Sequence, residues 1–237
     1  MNIRAKIYQT DIFNKIKVQK IRDEWVISEI AKIKDNAKII DIGCGSQRYR
    51  RNCQKLRYFG QDIAEYTTDS KTSLESSIGG KDGYQFGPLD YISSMENIPV
   101  KDASFDAILC TEVFEHAKDP VRAIPEFNRI IRTGGKLILT LPSSTVRHMD
   151  PYYYYSGFSD NWINYHLSKN GFEILKIEPV LDYYSLVSLE IARIASRPGI
   201  LNKIFLFPAF MYLISKKATP ESIATQCYGY HVLAEKK

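Results

Sequence analysis

Short apolar runs alternate with longer amphipathic stretches along this chain, and turn residues punctuate them. Residues 16–33 carry Ile16, Ile21, Trp25, Ile30 and Ile33 near one stripe at helical spacing, which predicts an amphipathic helix. Lys38–Ile42 predicts a first strand, and residues 56–62, which end on Asp62, predict a second. Residues 67–87 are rich in Ser, Thr and Gly without periodicity, so a long loop is expected there. Residues 89–93 and Phe105–Thr111 predict the third and fourth strands, the fourth fully buried. Asp119 and Pro120 offer an N-cap and a first-turn proline for a helix over 120–132, which Gly134 and Gly135 should end. Pro125 inside that helix predicts a kink, or a late start near Ile124, because it removes a backbone donor. Residues 136–141 predict a fifth strand, 161–169 a helix, Phe172–Val180 a strand, and 227–235 a last strand. Strands separated by helices imply a doubly wound, largely parallel sheet with its ligand at the carboxyl ends of the strands.

Composition changes this picture little. Of 237 residues, 44% are hydrophobic and 25% charged, which is ordinary for a globular protein with a sizeable core. The formal net charge of +5 comes from dispersed Lys and Arg, so a solvated basic surface is favoured over a polyanionic partner. Cys44, Cys53, Cys110 and Cys227 form no CxxC pair and no metal-ligand cluster. The first residues lack the apolar core of a signal peptide, so the cytoplasm is the default expectation.

The chemistry begins at Asp41-Ile42-Gly43-Cys44-Gly45-Ser46-Gln47, directly after the first strand. Two glycines one residue apart let the backbone turn sharply and approach a ligand closely. An acidic residue before them disfavours a pyrophosphate, which prefers bare backbone N–H groups, and suits a cation such as a ligand ammonium. A nicotinamide site would want Gly-x-Gly-x-x-Gly, but Arg48 stands in place of the last glycine.

Further along come Ile98-Pro99, the run Phe105-Asp106-Ala107-Ile108-Leu109-Cys110, then Glu112-Val113-Phe114-Glu115-His116-Ala117-Lys118-Asp119-Pro120, and Arg129-Ile130-Ile131-Arg132-Thr133-Gly134-Gly135-Lys136-Leu137. This ordered set resembles the class I S-adenosylmethionine-dependent methyltransferases, nearest to the quinone-biosynthesis and small-molecule group, over residues 36–142. The resemblance implies an α/β fold: a doubly wound, Rossmann-like, seven-stranded sheet, mostly parallel with an antiparallel last strand and helices on both faces. It implies one methyltransferase domain over 1–237. Within it, 1–35 is an N-terminal helical segment, 36–142 the cofactor core, 143–225 the substrate-side loops with a helical insertion, and 226–237 the final strand. S-adenosyl-L-methionine is the implied cofactor. Asp41, Gly43, Cys44 and Gly45 would cradle its methionine end, and Asp62 would accept from both ribose hydroxyls. Thr111 and His116 would line the pocket. Ser94 stands where the family has an Asp that contacts adenine, leaving Met95 and the local backbone to hold the ring. Gln47 departs from a third glycine.

Two segments are individual to this chain. Arg147-His148-Met149-Asp150-Pro151 leads into Tyr152, Tyr153, Tyr154 and Tyr155 after the fifth strand. An imidazole titrates near neutral pH, so His148 is a candidate base, with His116 a second. Four consecutive tyrosines cannot all face one way, and the loop suits either substrate binding or a plain surface. Residues 199–214 are the most apolar stretch, yet at 16 residues, with Lys203 and Pro208 inside, they fall short of a membrane span. A helical pair covering the cleft, its apolar side chains mostly buried, is the first expectation. An interfacial helix over 199–217, flanked by Arg197, Lys216 and Lys217, is the second, and a homodimer contact the third.

The function expected is methyl transfer to a small molecule, or to a glycan or glycolipid precursor, at oxygen. The sulfonium already activates the methyl, so no metal is expected. Alternatives are an inactive methyltransferase-like assembly partner and a nucleic-acid methyltransferase. The last is disfavoured because Cys110-Thr111-Glu112-Val113 is not the Asn/Asp-Pro-Pro-aromatic run used on nucleobase amines.

Overall fold

The computed structural model describes residues 14–65, 85–195 and 200–237. The loop expected over 67–87 lies largely outside them. In chain order the described elements are α1 (Val18–Ile30), β1 (Lys38–Ile42), β2 (Arg57–Asp62), β3 (Tyr91–Ile92), β4 (Phe105–Thr111), α2 (Pro120–Ile130) and β5 (Ile131–Pro142). They continue with α3 (Asp160–Lys169), β6 (Phe172–Val180), α4 (Tyr183–Ala195), α5 (Ile200–Ile214), α6 (Pro220–Thr225) and β7 (Gly229–Lys236).

Seven strands form one sheet in the order β3-β2-β1-β4-β5-β7-β6. The pairs β1–β2, β1–β4, β2–β3 and β4–β5 are parallel. β6 and β7 run antiparallel: Lys237 N–H donates to Gly171 at one end and Tyr228 N–H to Val180 at the other. The order reverses between β1 and β4, and a parallel sheet opens its ligand crevice at such a switch, beyond the carboxyl ends.

Alternation along the central strands feeds two cores. Ile40, Ile42, Ile108, Cys110, Leu137 and Leu139 pack with Ile124, Phe127 and Ile130 of α2 and Ile163 and Leu167 of α3. Ile39, Ala107, Leu109 and Ile138 face the other way, onto Val26 and Ile30 of α1 with Tyr49 and Cys53. Helices therefore cover both faces, as a buried parallel sheet requires.

Three local expectations need correction. α2 starts at Pro120, not near Ile124, and Asp119 caps it without a side-chain hydrogen bond. Pro125 is tolerated inside the helix because it and Val121, whose carbonyl loses its donor, are both exposed. Gly134 and Gly135 do not end α2, which stops at Ile130; they lie within β5, where Phe105 pairs Ile131 but Ala107 pairs Lys136. The extra residues bulge there. Gly134 takes φ +75°, and a Cβ on Gly135 would meet the carbonyls of Arg132 and Asp106 at 2.8 and 2.9 Å. The third strand shrinks to Tyr91–Ile92.

The chain divides into two compact units, Met1–Asp23 with Pro179–Gly229, and Glu24–Glu178 with Tyr230–Lys237. In the first, α4 and α5 pack together. Phe210 and Ile214 of α5 are buried, whereas Leu201, Ile204, Phe205, Phe207 and Tyr212 stand exposed, Phe205 at 72%. Within the chain, only part of the run that was expected to be buried finds cover on this helix. Leu206, Phe210, Leu213 and Ile214 recur at the spacing of one inward stripe, and the helix carries more apolar residues than one stripe can hide. Residue 197 and the side chain of Lys203 lie outside the described set.

Candidate functional site

Asp41 is the last residue but one of β1, and its buried carboxyl accepts from Tyr58 Oη at 2.7 Å. Burial pushes its pKa up to about 7; the Tyr58 bond works against this and the nearby Asp62 charge adds to it. The chain then turns through Gly43 at φ +66° and Gly45 at φ +50°. Only glycine fits at the first of these, since a Cβ there would sit 2.4 Å from Val113 Cγ1. The turn is fastened to β2 by its own amides. Gly43 N–H donates to Gln61 Oε1, Cys44 N–H to the Gln61 carbonyl, and Gly45 N–H to Asp62 Oδ2 at 2.9 Å. Asp62 Oδ1 takes the Ala64 N–H at 3.0 Å.

Gln47 takes a positive φ of +59°. Its amide donates to the Pro88 carbonyl and its Oε1 accepts from Arg50. Room comes from two glycines opposite: a Cβ on Gly60 would lie 2.5 Å from Gln47 Nε2, and one on Gly87 2.7 Å from its Cγ. Gly87 N–H closes this corner on the Gly45 carbonyl. Ser94 is exposed and its hydroxyl accepts from the Glu96 N–H, while Met95 packs against the core.

Thr111 ends β4 beside β5, and the chain then bends sharply at Glu112, whose φ is +53°. Glu112 is held there by its N–H on the Thr140 carbonyl and by the Thr140 hydroxyl on its own carboxylate. A single 3-10 turn, Phe114–His116, follows and sets Glu115 inside and His116 at the rim. The loop after β5 returns to this point. Tyr154 and Tyr155 N–H groups both donate to the Glu115 carbonyl, and Gly157 passes so close to Ser143 that a Cβ would fall 2.1 Å from its carbonyl oxygen.

That return brings His148 to His116, ring centroids 4.7 Å apart and nearly perpendicular. His116 Nδ1 lies 2.6 Å from the Tyr152 carbonyl, and His148 Nδ1 lies 2.9 Å from the Val146 carbonyl. A carbonyl only accepts, so each Nδ1 carries a proton. Burial drives the His116 pKa down to about 4; the Tyr152 carbonyl opposes this and His148 reinforces it. Glu115 Oε1 lies 3.8 Å from His116 Nε2. One ligand atom from each of Glu115, His116 and His148 falls within 4.8 Å of the others. Tyr153 leans on His148 at 5.3 Å and donates to the Thr145 carbonyl. Tyr154 and Tyr155 are exposed, so the tyrosines do divide between two sides.

Other motif residues are structural. Arg129 reaches the carbonyls of Ile98 and Val100 and the carboxylates of Glu126 and Asp102, and Glu126 accepts the Ile98 N–H. They pin the connection between β3 and β4 to α2.

Residues 40–139 match a family model described as a methyltransferase domain. Over this segment the chain is similar to class I S-adenosylmethionine-dependent methyltransferases. The ubiquinone biosynthesis O-methyltransferase of Xanthomonas oryzae pv. oryzae is 30% identical over 115 residues, 46% of this chain and 44% of that protein. The tRNA U34 carboxymethyltransferase of Campylobacter hominis is 30% identical over 105 residues, 43% of this chain and 35% of its own length. The chain thus spans less than half the length of these curated relatives. Among solved structures, the cyclase SpnF aligns at TM-score 0.53 and 18% identity, covering 89% of this chain and 80% of its own. Phosphoethanolamine N-methyltransferase 2 of Haemonchus contortus, solved with S-adenosyl-L-methionine, aligns at 0.51 and 17%, covering 100% and 60%. These two likenesses concern the fold alone.

The methyltransferase domain gathers Asp41, Gly43, Cys44, Gly45, Asp62 and Thr111 at the carboxyl ends of adjacent strands β1, β2 and β4. Beside them stand residues that sequence reasoning did not name. Glu115 joins the histidines, and Tyr58 partners Asp41. The strand register was the available signal for Tyr58, since Asp41 pairs Gly60 and Tyr58 lies two residues earlier on β2.

Proposed function

We propose that this chain transfers the methyl group of S-adenosyl-L-methionine to an oxygen of a small molecule, or of a glycan or glycolipid precursor. The observation that carries the reading is the arrival of His148 beside His116 and Glu115, on the strand edge that also carries the glycine turn. In this reading Asp41, Gly43, Cys44 and Gly45 hold the methionine end, Asp62 the ribose diol, and Met95 with the Ser94 backbone the adenine. Thr111 and His116 wall the pocket. The acceptor oxygen attacks the methyl carbon while the carbon–sulfur bond breaks and its electron pair stays on sulfur, giving S-adenosylhomocysteine. Alignment and exclusion of water supply most of the rate, and the acceptor hydroxyl must also lose its proton. That loss falls to the Glu115–His116–His148 cluster, with His148 the candidate base. The exposed rings of Tyr154 and Tyr155 suit stacking against a sugar. Calorimetry should show one S-adenosyl-L-methionine site, and label from its methyl should reach hydroxylated acceptors but not tRNA. An absence of cofactor binding would favour the non-catalytic assembly role, and label in tRNA the nucleic-acid role.

The reading extends to a cytoplasmic protein that touches anionic membrane through α5. No described helix is long and apolar enough to cross a bilayer. The exposed Leu201, Ile204 and Phe205 lie ahead of Lys216 and Lys217, as in an interfacial helix. Flotation with anionic vesicles should carry the protein and fail for Phe205→Asp. Concentration-dependent dimerisation without flotation would give this face to a second copy instead.

A further inference from the structure

The outer face of α3 has no part in the methyl-transfer reading. A ladder of aromatic rings nevertheless runs onto it from the loop after β5. Tyr155, Phe158, Trp162, His166 and Tyr165 follow one another with ring centroids 5.5, 4.8, 4.5 and 5.0 Å apart. Trp162 and His166 are four apart on the helix and so share one side of it. Phe158 is buried and Trp162 meets Phe114 edge to face, which roots the ladder in the core. Tyr155 and Tyr165 stand in solvent, Tyr165 at 59%. The near end of the ladder touches the candidate site: Tyr155 N–H donates to the Glu115 carbonyl and its Oη to the Lys118 carbonyl. Its polar edges are unspent. Among the described residues, none hydrogen-bonds Trp162 Nε1 or the ring nitrogens of His166.

The rest of this face selects the occupant. The exposed positions of α3 are Asp160, Asn161, Asn164, Tyr165, Ser168 and Lys169. One acid and one base cancel, so there is no excess of cations to neutralise the phosphates of a nucleic acid. No aliphatic side chain of α3 is exposed, whereas a protein partner would need an apolar centre to bury. Burial, with Lys169 adding to it, holds the His166 pKa below its ordinary value, so the ladder is uncharged at neutral pH. Flat rings beside neutral amides and hydroxyls match sugars. The C–H faces of a sugar lie on the rings, and its hydroxyls bond to the amides and to Trp162 Nε1. We propose that the ladder from Tyr155 to Tyr165 is a binding platform for an uncharged oligosaccharide whose end reaches the Glu115–His116–His148 cluster. The inference rests on the methyl-transfer reading and deepens it: the acceptor is a chain of several sugars, with Tyr155 nearest the transferred methyl and Tyr165 furthest from it.

Nuclear magnetic resonance of the isotope-labelled chain tests this without reference to activity. The chain has 2 tryptophans, and the indole N–H signal of Trp162 is told from that of Trp25 by its contact with the Phe158 ring. The probes are mono-, di-, tetra- and hexasaccharides of neutral hexoses and N-acetylhexosamines. The Trp162 signal should move with the tetra- and hexasaccharides and little with the monosaccharides, because length brings more rings into contact. This readout needs no variant. Tyr165→Ala, at an exposed position, should weaken the hexasaccharide roughly tenfold, the size of one lost stacking contact, with calorimetric affinity for S-adenosyl-L-methionine unchanged. A Trp162 signal unmoved by every probe, or hexasaccharide affinity equal in wild type and Tyr165→Ala, overturns the platform. A shift caused by single-stranded RNA and not by sugars overturns it as well. Cofactor binding and methyl transfer to single-ring hydroxylated acceptors, with no sugar-induced shift, overturn the platform and leave the transfer reading standing. A length-dependent, Tyr165-dependent shift without cofactor binding upholds the platform and removes the transfer reading.

Discussion

The glycine turn and the loop after β5 reach the same strand edge but are held there by different means. The turn is fixed from within. Its amides donate to the neighbouring β2, its glycines supply the positive φ, and Gln47 fills the corner that Gly60 and Gly87 leave. The loop is fixed from outside. Tyr154 and Tyr155 hang on the Glu115 carbonyl and His116 holds the Tyr152 carbonyl, while His148 on Val146 and Tyr153 on Thr145 close the loop on itself. A cradle built from local turn chemistry can be shared by many proteins, because any parallel strand pair can carry it. A site hung between two loops belongs to one chain. In the proposed function, the common chemistry falls to the first and the acceptor specificity to the second.

This division predicts separable damage. His148→Ala should lower turnover by roughly 10²–10⁴-fold, the usual range for losing a group that handles the acceptor proton, while cofactor affinity stays at the wild-type value. A parallel loss of cofactor affinity would show that the two regions are not independent. Gly43→Ala makes the opposite lesion. Its Cβ would meet Val113 at 2.4 Å in a backbone conformation that side chains avoid. Overpacking and strain together should cost about 2–4 kcal/mol of stability and abolish detectable cofactor binding. Val113→Ala should restore part of the stability, since it relieves the clash but not the φ. Urea midpoints of the three variants decide this.

The same division explains what could be read from the sequence. Strands β1, β2 and β4, the glycine turn and Asp62 were legible, because each is written in a few consecutive residues. The histidine cluster was half legible. His116 and His148 could be named, but their approach to 4.7 Å and the part of Glu115 depend on how the loop after β5 folds back, which no local pattern encodes. Where local rules misled, tertiary context had won. Gly134 and Gly135 look like a helix stop and serve a bulge in β5, because α2 had already ended at Ile130. On α5 the apolar run reads as buried, although periodicity cannot say how many faces of a helix find cover.

In the proposed function Asp62 serves both structure and ligand. Asp62→Ala should weaken S-adenosyl-L-methionine by about 1.5–3 kcal/mol, the range for hydrogen bonds to a charged group. The sequence alone suggests little effect on stability, but Asp62 accepts the Gly45 and Ala64 amides and is only 9% exposed. The variant should therefore also unfold at lower denaturant. Asp62→Asn, which keeps an acceptor oxygen for one of these amides, should recover some stability and less of the affinity. An equal recovery of both would reduce Asp62 to a fastener of the turn.

The smallest effect concerns Asp41, and its sign is the informative part. Burial holds its folded pKa at about 7, above the ordinary 3.8. A group raised in this way favours the folded state fully below its unfolded pKa, and that contribution is lost as pH rises through the folded value. Without ligand, the Asp41 contribution to stability should therefore decline between about pH 4 and pH 7. A cationic ligand reverses the preference. If the ammonium of the methionine end lies against Asp41, binding requires the carboxylate, and a group of pKa about 7 is roughly tenfold less ionised at pH 6 than at pH 8. Cofactor affinity should then be about tenfold weaker at pH 6, about 1.4 kcal/mol, with proton release on binding at the lower pH. His116, held near pKa 4, does not titrate in this window. Asp41→Asn should flatten the profile while keeping a partner for the Tyr58 hydroxyl. Calorimetry at three pH values in buffers of different ionisation heat measures both affinity and protons released. A wild-type profile as flat as that of the variant would detach Asp41 from the ligand and leave it a buried partner of Tyr58.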